Sequence, residues 1–284
     1  LPEAVRLDCP DWVAPALRGS LGEDFAPVMA ALRRRAPVHL RVNLRRADRA
    51  RAQSRLAGEG VETRAHPLAP TALEVTSGAR RLRESAAYAD GLVELQDAAS
   101  QAVCDALPLT PGARVLDYCA GGGGKTLALA GRGDARFHAH DADMRRMADL
   151  PARAARAGVE ARVLSGDRLR AAGPFDLVLA DVPCSGSGTW RRNPEDKWRL
   201  DGAALAALTG RQDAILDGAA SLTAPGGVLA HITCSLLDQE NAARIQAFLA
   251  RRHGWRALSE QRLTPLDGGD GFFLCILECD TPDI

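Results

Sequence analysis

Lysine is almost missing from this chain. Of 36 basic residues only Lys125 and Lys197 are lysine; the other 34 are arginine. Alanine and glycine are abundant, the composition of a GC-rich genome, in which arginine replaces lysine wherever a rigid fork can stand in for a compact point charge. The two lysines that remain mark places where the fork does not fit, and both fall in segments argued below to build one site. Net charge is missing too, being zero overall, but its distribution is uneven. Residues 30–83 hold thirteen arginines against Asp48, Glu59, Glu62 and Glu74, a local excess of +9 that leaves −9 for the rest. A basic segment beside an acidic body points to a nucleic-acid-facing module rather than a merely solvated face.

No apolar run is long enough to cross a bilayer, and no segment has the pattern of a signal peptide. The seven cysteines are odd in number, scattered and mostly set in apolar runs. That suits reduced thiols in the cytoplasm and argues against a disulfide framework. Cys275-x-x-x-Cys279 has no His or Cys nearby to complete a ligand set, so no metal is expected. Internal repeats and low-complexity tracts are absent. The chain opens on Leu1 and is expected to be a piece of a longer protein.

What is present reads as two units. Residues 2–35 suggest short helices broken by Pro10, Pro15 and Pro27. Strands at 37–43, 61–65 and 72–76, with a helix over 47–56 that carries Asp48 in its first turn, make a small α+β module assigned to residues 1–80. A helix is expected over 96–107. From Arg114 onward, strands at 114–119, 136–141, 161–165, 175–180 and 227–233 alternate with helical stretches such as 144–157 and 202–220. Such alternation gives an α/β fold with a parallel sheet covered on both faces, here residues 81–284. The last two strands, 255–259 and 272–278, have no helix between them, so the final one pairs antiparallel.

In an open α/β sheet, ligands bind beyond the carboxyl ends of the strands. The strand at 114 runs into Cys119-Ala120-Gly121-Gly122-Gly123-Gly124-Lys125-Thr126 before a helix. A phosphate-binding Gly-x-x-x-x-Gly-Lys loop fails here because its first glycine is missing. Asp141, ending the next strand, could accept from both hydroxyls of a ribose, and Asp167, ending the one after, could meet an adenine edge. The set suits S-adenosylmethionine; the alternative is a tight turn with two helix caps. Two further strand ends carry thiols, in Asp181-Val182-Pro183-Cys184-Ser185-Gly186 and in Ile232-Thr233-Cys234-Ser235. Either cysteine alone would be a small buried hydrophobe. Together they fit addition to an electron-poor pyrimidine, in which one sulfur attacks and a second group helps undo the adduct, with Asp181 at the base edge. Trp190 to Trp198 mixes aromatics with positive charge, as loops that hold unstacked bases do; the alternative is a surface loop pinned to the core by its tryptophans.

Over essentially its whole length the chain resembles the Sun-type (Nol/Nop/Sun) RNA 5-methylcytosine methyltransferases. The resemblance rests on Leu40-Arg41-Val42-Asn43, Gly91-Leu92-Val93-Glu94-Leu95-Gln96-Asp97, the glycine loop, and Asp181 to Gly188. It continues through Arg192-Asn193-Pro194-Glu195-Asp196-Lys197-Trp198, Gln212-Asp213-Ala214-Ile215-Leu216, Thr233-Cys234-Ser235 with Glu240-Asn241, and Asp270-Gly271-Phe272-Phe273. It is nearest the bacterial small-subunit rRNA branch, which usually carries an extra N-terminal helical domain that this chain does not contain. The resemblance implies a Rossmann-like methyltransferase sheet with a small N-terminal RNA-binding domain. It implies S-adenosylmethionine held by residues 119–125 with Asp141, Asp167 and Asp181. Cys234 would attack carbon 6 of cytosine while Asp181 bonds the ring nitrogen opposite. Carbon 5 would take the methyl group, and Cys184 would act in removing the carbon-5 proton. The implied partner is RNA, ribosomal first and transfer RNA as the alternative, with the chain a monomer. A non-catalytic RNA-binding assembly factor is the reading from another class. DNA-type cytosine enzymes use the Pro-Cys thiol as nucleophile, which would leave Cys234 redundant. One departure stands out: the family loop usually reads Cys-Ala-Ala-Pro-Gly-Gly-Lys-Thr, and here Gly121-Gly122 replaces Ala-Pro. Freeing that backbone costs roughly 0.4–1 kcal/mol of ordering, enough to weaken cofactor affinity several-fold.

Overall fold

The computed structural model describes residues 3–280, which form two sheets. The first is antiparallel, in the order β2-β3-β1-β4, from β1 (His39–Val42), β2 (Glu62–Ala65), β3 (Ala72–Ser77) and β4 (Val93–Leu95). Alternation in β1 sends Leu40 and Val42 to one face, where they pack with Ala52 and Leu56 of the helix Arg49–Gly58 and with Leu73 and Val93. Asp48 caps that helix from outside, accepting Arg51 N–H at 2.8 Å, so it precedes the first turn instead of lying in it. The opposite face carries His39 and Arg41. Arg41 is buried, and donates to the Gln96 side chain and to the Gly124 carbonyl (2.9 Å), so this face lies against the glycine loop of the second sheet. β4 lies beyond position 80 and has three residues, too few for a period-2 signal.

Helices Glu3–Arg6, Ala14–Leu21 and Phe25–Leu32 precede this sheet. Pro15 and Pro27 stand in the first turns of the second and third helices instead of breaking them. Amides there have no intrahelical acceptor, so a missing N–H costs little. This segment buries Val13, Leu17, Phe25 and Met29 against Trp190, Leu236 and Leu237, from the loops that follow the two thiols, and against Leu205 of the helix Gly202–Ala220.

The second sheet runs β10-β11-β9-β8-β5-β6-β7. Its strands are β5 (Arg114–Asp117), β6 (Arg136–Ala139), β7 (Ala161–Val163), β8 (Phe175–Asp181), β9 (Thr223–Thr233), β10 (Trp255–Leu263) and β11 (Phe272–Cys279). β5 to β9 pair in parallel, and β11 runs antiparallel between β9 and β10. Two apolar cores, one around Leu129, Leu179 and Ile232 and one around Phe175, Val178 and Phe273, cover its faces. The strand order reverses between β5 and β8, so the loops leaving those strands diverge and open a crevice at their carboxyl ends. β6 and β7 stop two residues short of the stretches expected from the sequence, which releases His140 and Asp141 from the ladder. The expected helix over 144–157 is two pieces, a 3₁₀ turn Met144–Met147 and a helix Leu150–Ala157 with Pro151 in its first turn. A proline in mid-helix would displace an i→i−4 bond, so the long helix yields to a second start. Gly202–Ala220 forms one helix, capped by Asp201 onto Ala204 N–H at 2.7 Å. Among the described residues no helix is long and apolar enough to cross a membrane.

Candidate active site

The crevice receives the glycine loop from β5. Buried Asp117 closes the strand and accepts from Thr126 N–H (3.1 Å) and Thr126 Oγ1 (2.7 Å), tying the loop's far end to its start. Burial, with Asp181 adding its charge, pushes the Asp117 carboxyl up to about 7 against the Thr126 hydrogen bonds. Gly121 (φ +50) and Gly123 (φ +76) take left-handed backbone, and a side chain at Gly123 would collide with Leu150. Asp141 Oδ2 accepts Gly121 N–H at 2.9 Å and Arg146 Nη1 at 3.1 Å, while Arg153 donates to the Gly122 carbonyl. The loop that lacks a proline ring is thus held by Asp141, itself braced by Arg146, and by Arg153 instead. Asp141 Oδ1 accepts Asp143 N–H at 2.9 Å. Asp167 is not at a strand end: it lies in the first turn of the helix Gly166–Ala172 and is exposed. Cys119 is half-buried, and its thiol is pushed up by burial and then by Asp117, Asp181 and Asp141.

Lys125 links this loop to the next strand end. Its Nζ lies 2.5 Å from Asp181 Oδ2 and 5.2 Å from the centre of the Phe272 ring. Burial opposes its charge, but Asp181, with smaller help from Cys104 and Asp117, holds the ammonium above its ordinary range. Lys197 does not join it: Lys197 pairs with Asp8 and lies over the Trp198 ring, fastening the tryptophan loop to the N-terminal segment. The two tryptophans of that loop divide, Trp190 being buried among the N-terminal helices and Trp198 exposed.

β8 and β9 are parallel neighbours, with Asp181 opposite Ile232. That register places Cys184 and Cys234 at the same level, Sγ to Sγ 3.4 Å. The Cys184 thiol is pushed well up, first by its hydrogen bond with Cys234 and then by burial. What holds the two loops together is a buried carboxylate. Glu240 is fully enclosed; it accepts Ser185 N–H at 2.8 Å, Gln212 Nε2 at 3.0 Å, and the Ser185 and Ser235 hydroxyls. Gln212 also donates to the Pro183 carbonyl at 2.9 Å. Gly188 N–H donates to the Cys234 carbonyl and Gly271 N–H to the Gly188 carbonyl, both at 2.9 Å, and Gly271 leaves no room for a side chain at Gly188. The sequence marked Gln212 and Glu240 within motifs but gave neither a role. The available signal was an acid that follows two leucines at a helix start.

Below the thiols, His231 Nε2 donates to the Glu240 carbonyl at 3.1 Å, and burial depresses its imidazole to about 4. A histidine depressed from 6.5 stabilises the fold fully above pH 6.5, and this stability is lost as pH falls through about 4. Wild type should therefore lose about 3 kcal/mol relative to His231→Gln between those limits. Urea titrations of both proteins at matched pH measure the difference; a constant gap across the window would mean that His231 is charged when folded.

Comparisons with known proteins bear on the family and the fold. Residues 104–273 match the family described as 16S rRNA methyltransferase RsmB/F, and residues 9–80 match its RsmF/B-like ferredoxin-like domain. The ribosomal RNA small subunit methyltransferase B of Xylella fastidiosa is 36% identical over 282 residues, covering 93% of this chain. The chain spans 65% of that relative's length. The crystal structure of PH0851 superposes with a TM-score of 0.89 at 29% identity, covering 97% of this chain and 67% of that one. A methyltransferase homolog protein from Pyrococcus horikoshii superposes at 0.84 and 25% identity, covering 97% of each chain. With its sheet order, its four-stranded antiparallel module and its matched residues, the chain belongs to the 16S rRNA methyltransferase RsmB/F family.

Proposed function

We propose that the chain transfers a methyl group from S-adenosylmethionine to carbon 5 of a cytosine in small-subunit ribosomal RNA, through a covalent adduct with Cys234. The observation that carries this reading is the pair of thiols 3.4 Å apart beside Asp181 and its partner Lys125. Cys234 attacks carbon 6, and carbon 5 becomes nucleophilic. Asp181 meets the ring nitrogen, with the Lys125 ammonium beside it as charge develops on the base. The cofactor supplies the methyl group; residues 119–125 cradle it, with Asp141 toward the ribose and Asp167 toward the adenine.

The two thiols divide the work. While Cys234 is free, its hydrogen bond is the largest influence raising the Cys184 thiol. Once Cys234 is bonded to carbon 6 that influence is gone; Cys184 passes its proton to water in the crevice and, as a thiolate, accepts the one on carbon 5. The bond to Cys234 then breaks and the methylated base leaves. Eleven of the thirteen arginines between 30 and 83 are exposed. Arg45, Arg46 and Arg51 line one open groove with Arg156, a surface fit for phosphates.

Labelled cofactor with separated ribosomal and transfer RNA, followed by bisulfite mapping, tests the reaction and its substrate. Label confined to transfer RNA, or at a position other than carbon 5, would overturn the reading. Asp141→Ala should weaken S-adenosylmethionine binding at least tenfold, about 1.4 kcal/mol by calorimetry. Asp141→Asn keeps one acceptor for Gly121 N–H and should lose less; unchanged affinity in both would put the ribose elsewhere.

A further inference from the structure

Outside the crevice, the small sheet gathers a second set of chemically capable side chains. His39 and Glu74 are directly opposed across β1 and β3, so they share a face. Arg64 opposes Glu74 across β2, and the period of two carries the same face on to His66. This is the face that carries Arg41 and lies against the second domain. His39 and His66 are 3% and 5% exposed, and Glu74 is half-buried. One ligand atom from each lies within 4.8 Å of the others.

Each group is prepared to bind a cation. His39 Nδ1 lies 3.0 Å from Asp97 Oδ2. A carboxylate only accepts, so that nitrogen carries the proton. Ala98 N–H also approaches Nδ1, at the longer distance of 3.2 Å, and a lone pair there would face the carboxylate. Nε2 is left with its lone pair buried and without a partner among the described residues. A carboxylate on one ring nitrogen with the other free is the arrangement that orients metal-binding histidines. His66 Nδ1 takes only a long contact, 3.3 Å from Leu68 N, so its ring proton can move to either nitrogen. Arg64 holds Glu74 through Oε2 alone, leaving Oε1 without a hydrogen-bond partner among the described residues.

We propose that His39, His66 and Glu74 form a binding site for a zinc-type divalent transition ion. Two imidazoles and a carboxylate are ligands that zinc accepts, with water in a fourth position. Bonds of about 2.0–2.2 Å around a tetrahedral ion set ligand atoms roughly 3.4 Å apart, so ligand atoms within 4.8 Å of one another need shifts of about 1 Å to complete the site. The consequence reaches the candidate active site. Asp97, which would orient His39, also accepts Arg192 Nη2 (2.9 Å) and Asp270 N–H (2.9 Å), and Asp270 holds Arg191 at 2.7 Å. The ion would therefore steady the loop that follows Cys184. No motif spacing marks the site, because His39 and Glu74 come from β1 and β3 and His66 follows β2.

Chelator-stripped protein, titrated with zinc alone by calorimetry, should bind one equivalent and gain thermal stability. Cobalt(II) in its place should give a weak visible spectrum without the intense near-ultraviolet band of thiolate ligation, and a Cys184→Ser/Cys234→Ser variant should retain the equivalent. Glu74→Gln, at a half-buried position where folding is least at risk, and His66→Gln should each weaken zinc binding at least tenfold. Any of three results overturns the proposal: no stoichiometric binding to stripped wild type, a thiolate band with cobalt, or wild-type affinity in folded Glu74→Gln and His66→Gln.

Discussion

Cys184→Ala protein is expected to co-migrate with RNA on a denaturing gel, while Cys234→Ala forms no adduct and transfers no methyl group. The two thiols are 3.4 Å apart, yet their removal acts at opposite ends of the proposed reaction. Without Cys234 nothing attacks carbon 6, and turnover should fall on the order of a thousandfold or more, the scale of losing a nucleophile. Without Cys184 the attack and the methyl transfer go ahead, but the carbon-5 proton has no acceptor and the sulfur–carbon bond persists. The double variant should lose the trapped band, which shows that the band depends on Cys234. If both cysteines are only small side chains filling half-buried space, each variant loses stability and neither traps RNA. A band from Cys234→Ala instead would assign the nucleophile to Cys184. Removing Asp181 as well should weaken the band, because the ring would lose its hydrogen-bonding partner as charge develops.

How far the sequence could be read depended on whether a feature was local. β8 is a buried apolar run ending in Asp181 and β9 one ending in Thr233, so both strands, and the thiols beyond them, were visible as breaks in hydrophobicity. Their parallel register, which sets the thiol-to-thiol distance, was not, since it is decided by packing across the sheet. β4 was missed because three residues cannot show alternation. Lys125 and Asp181 were both read as cofactor residues, and Asp181 at the base edge as well, but not as partners: their ion pair joins loops 56 positions apart. Lys197 looked like a second functional lysine; its partner, Asp8, is 189 positions away. Asp167 was placed at a strand end because an apolar run continued to Leu164, but Ser165 takes extended backbone as the cap of a new helix, and this carries the acid one turn outward. The glycines of the loop announced positive φ, whereas the side chains that hold them, from Asp141 and Arg153, could only be seen in three dimensions.

The structural weight of the site falls on Glu240, and two substitutions there should behave very differently. Its Oε1 faces donors that cannot reverse, Ser185 N–H and the Gln212 amide. Its Oε2 faces the hydroxyls of Ser185 and Ser235, which can rotate to accept. Glutamine therefore fits in one orientation, carbonyl toward the fixed donors and amide toward the hydroxyls, and Glu240→Gln should lose only about 1 kcal/mol. Alanine leaves Ser185 N–H and one Gln212 hydrogen without an acceptor in a site closed to water. Each orphaned buried donor costs about 1–3 kcal/mol, so Glu240→Ala should lose at least about 2 kcal/mol. The Cys184 and Cys234 loops should also separate, which would show as loss of the trapped adduct when Glu240→Ala is combined with Cys184→Ala. Urea denaturation gives the first quantity and the denaturing gel the second. Equal losses for the two variants would mean that water enters and replaces the carboxylate. A full-strength adduct in the alanine background would mean that the paired strands β8 and β9 alone bring the thiols together.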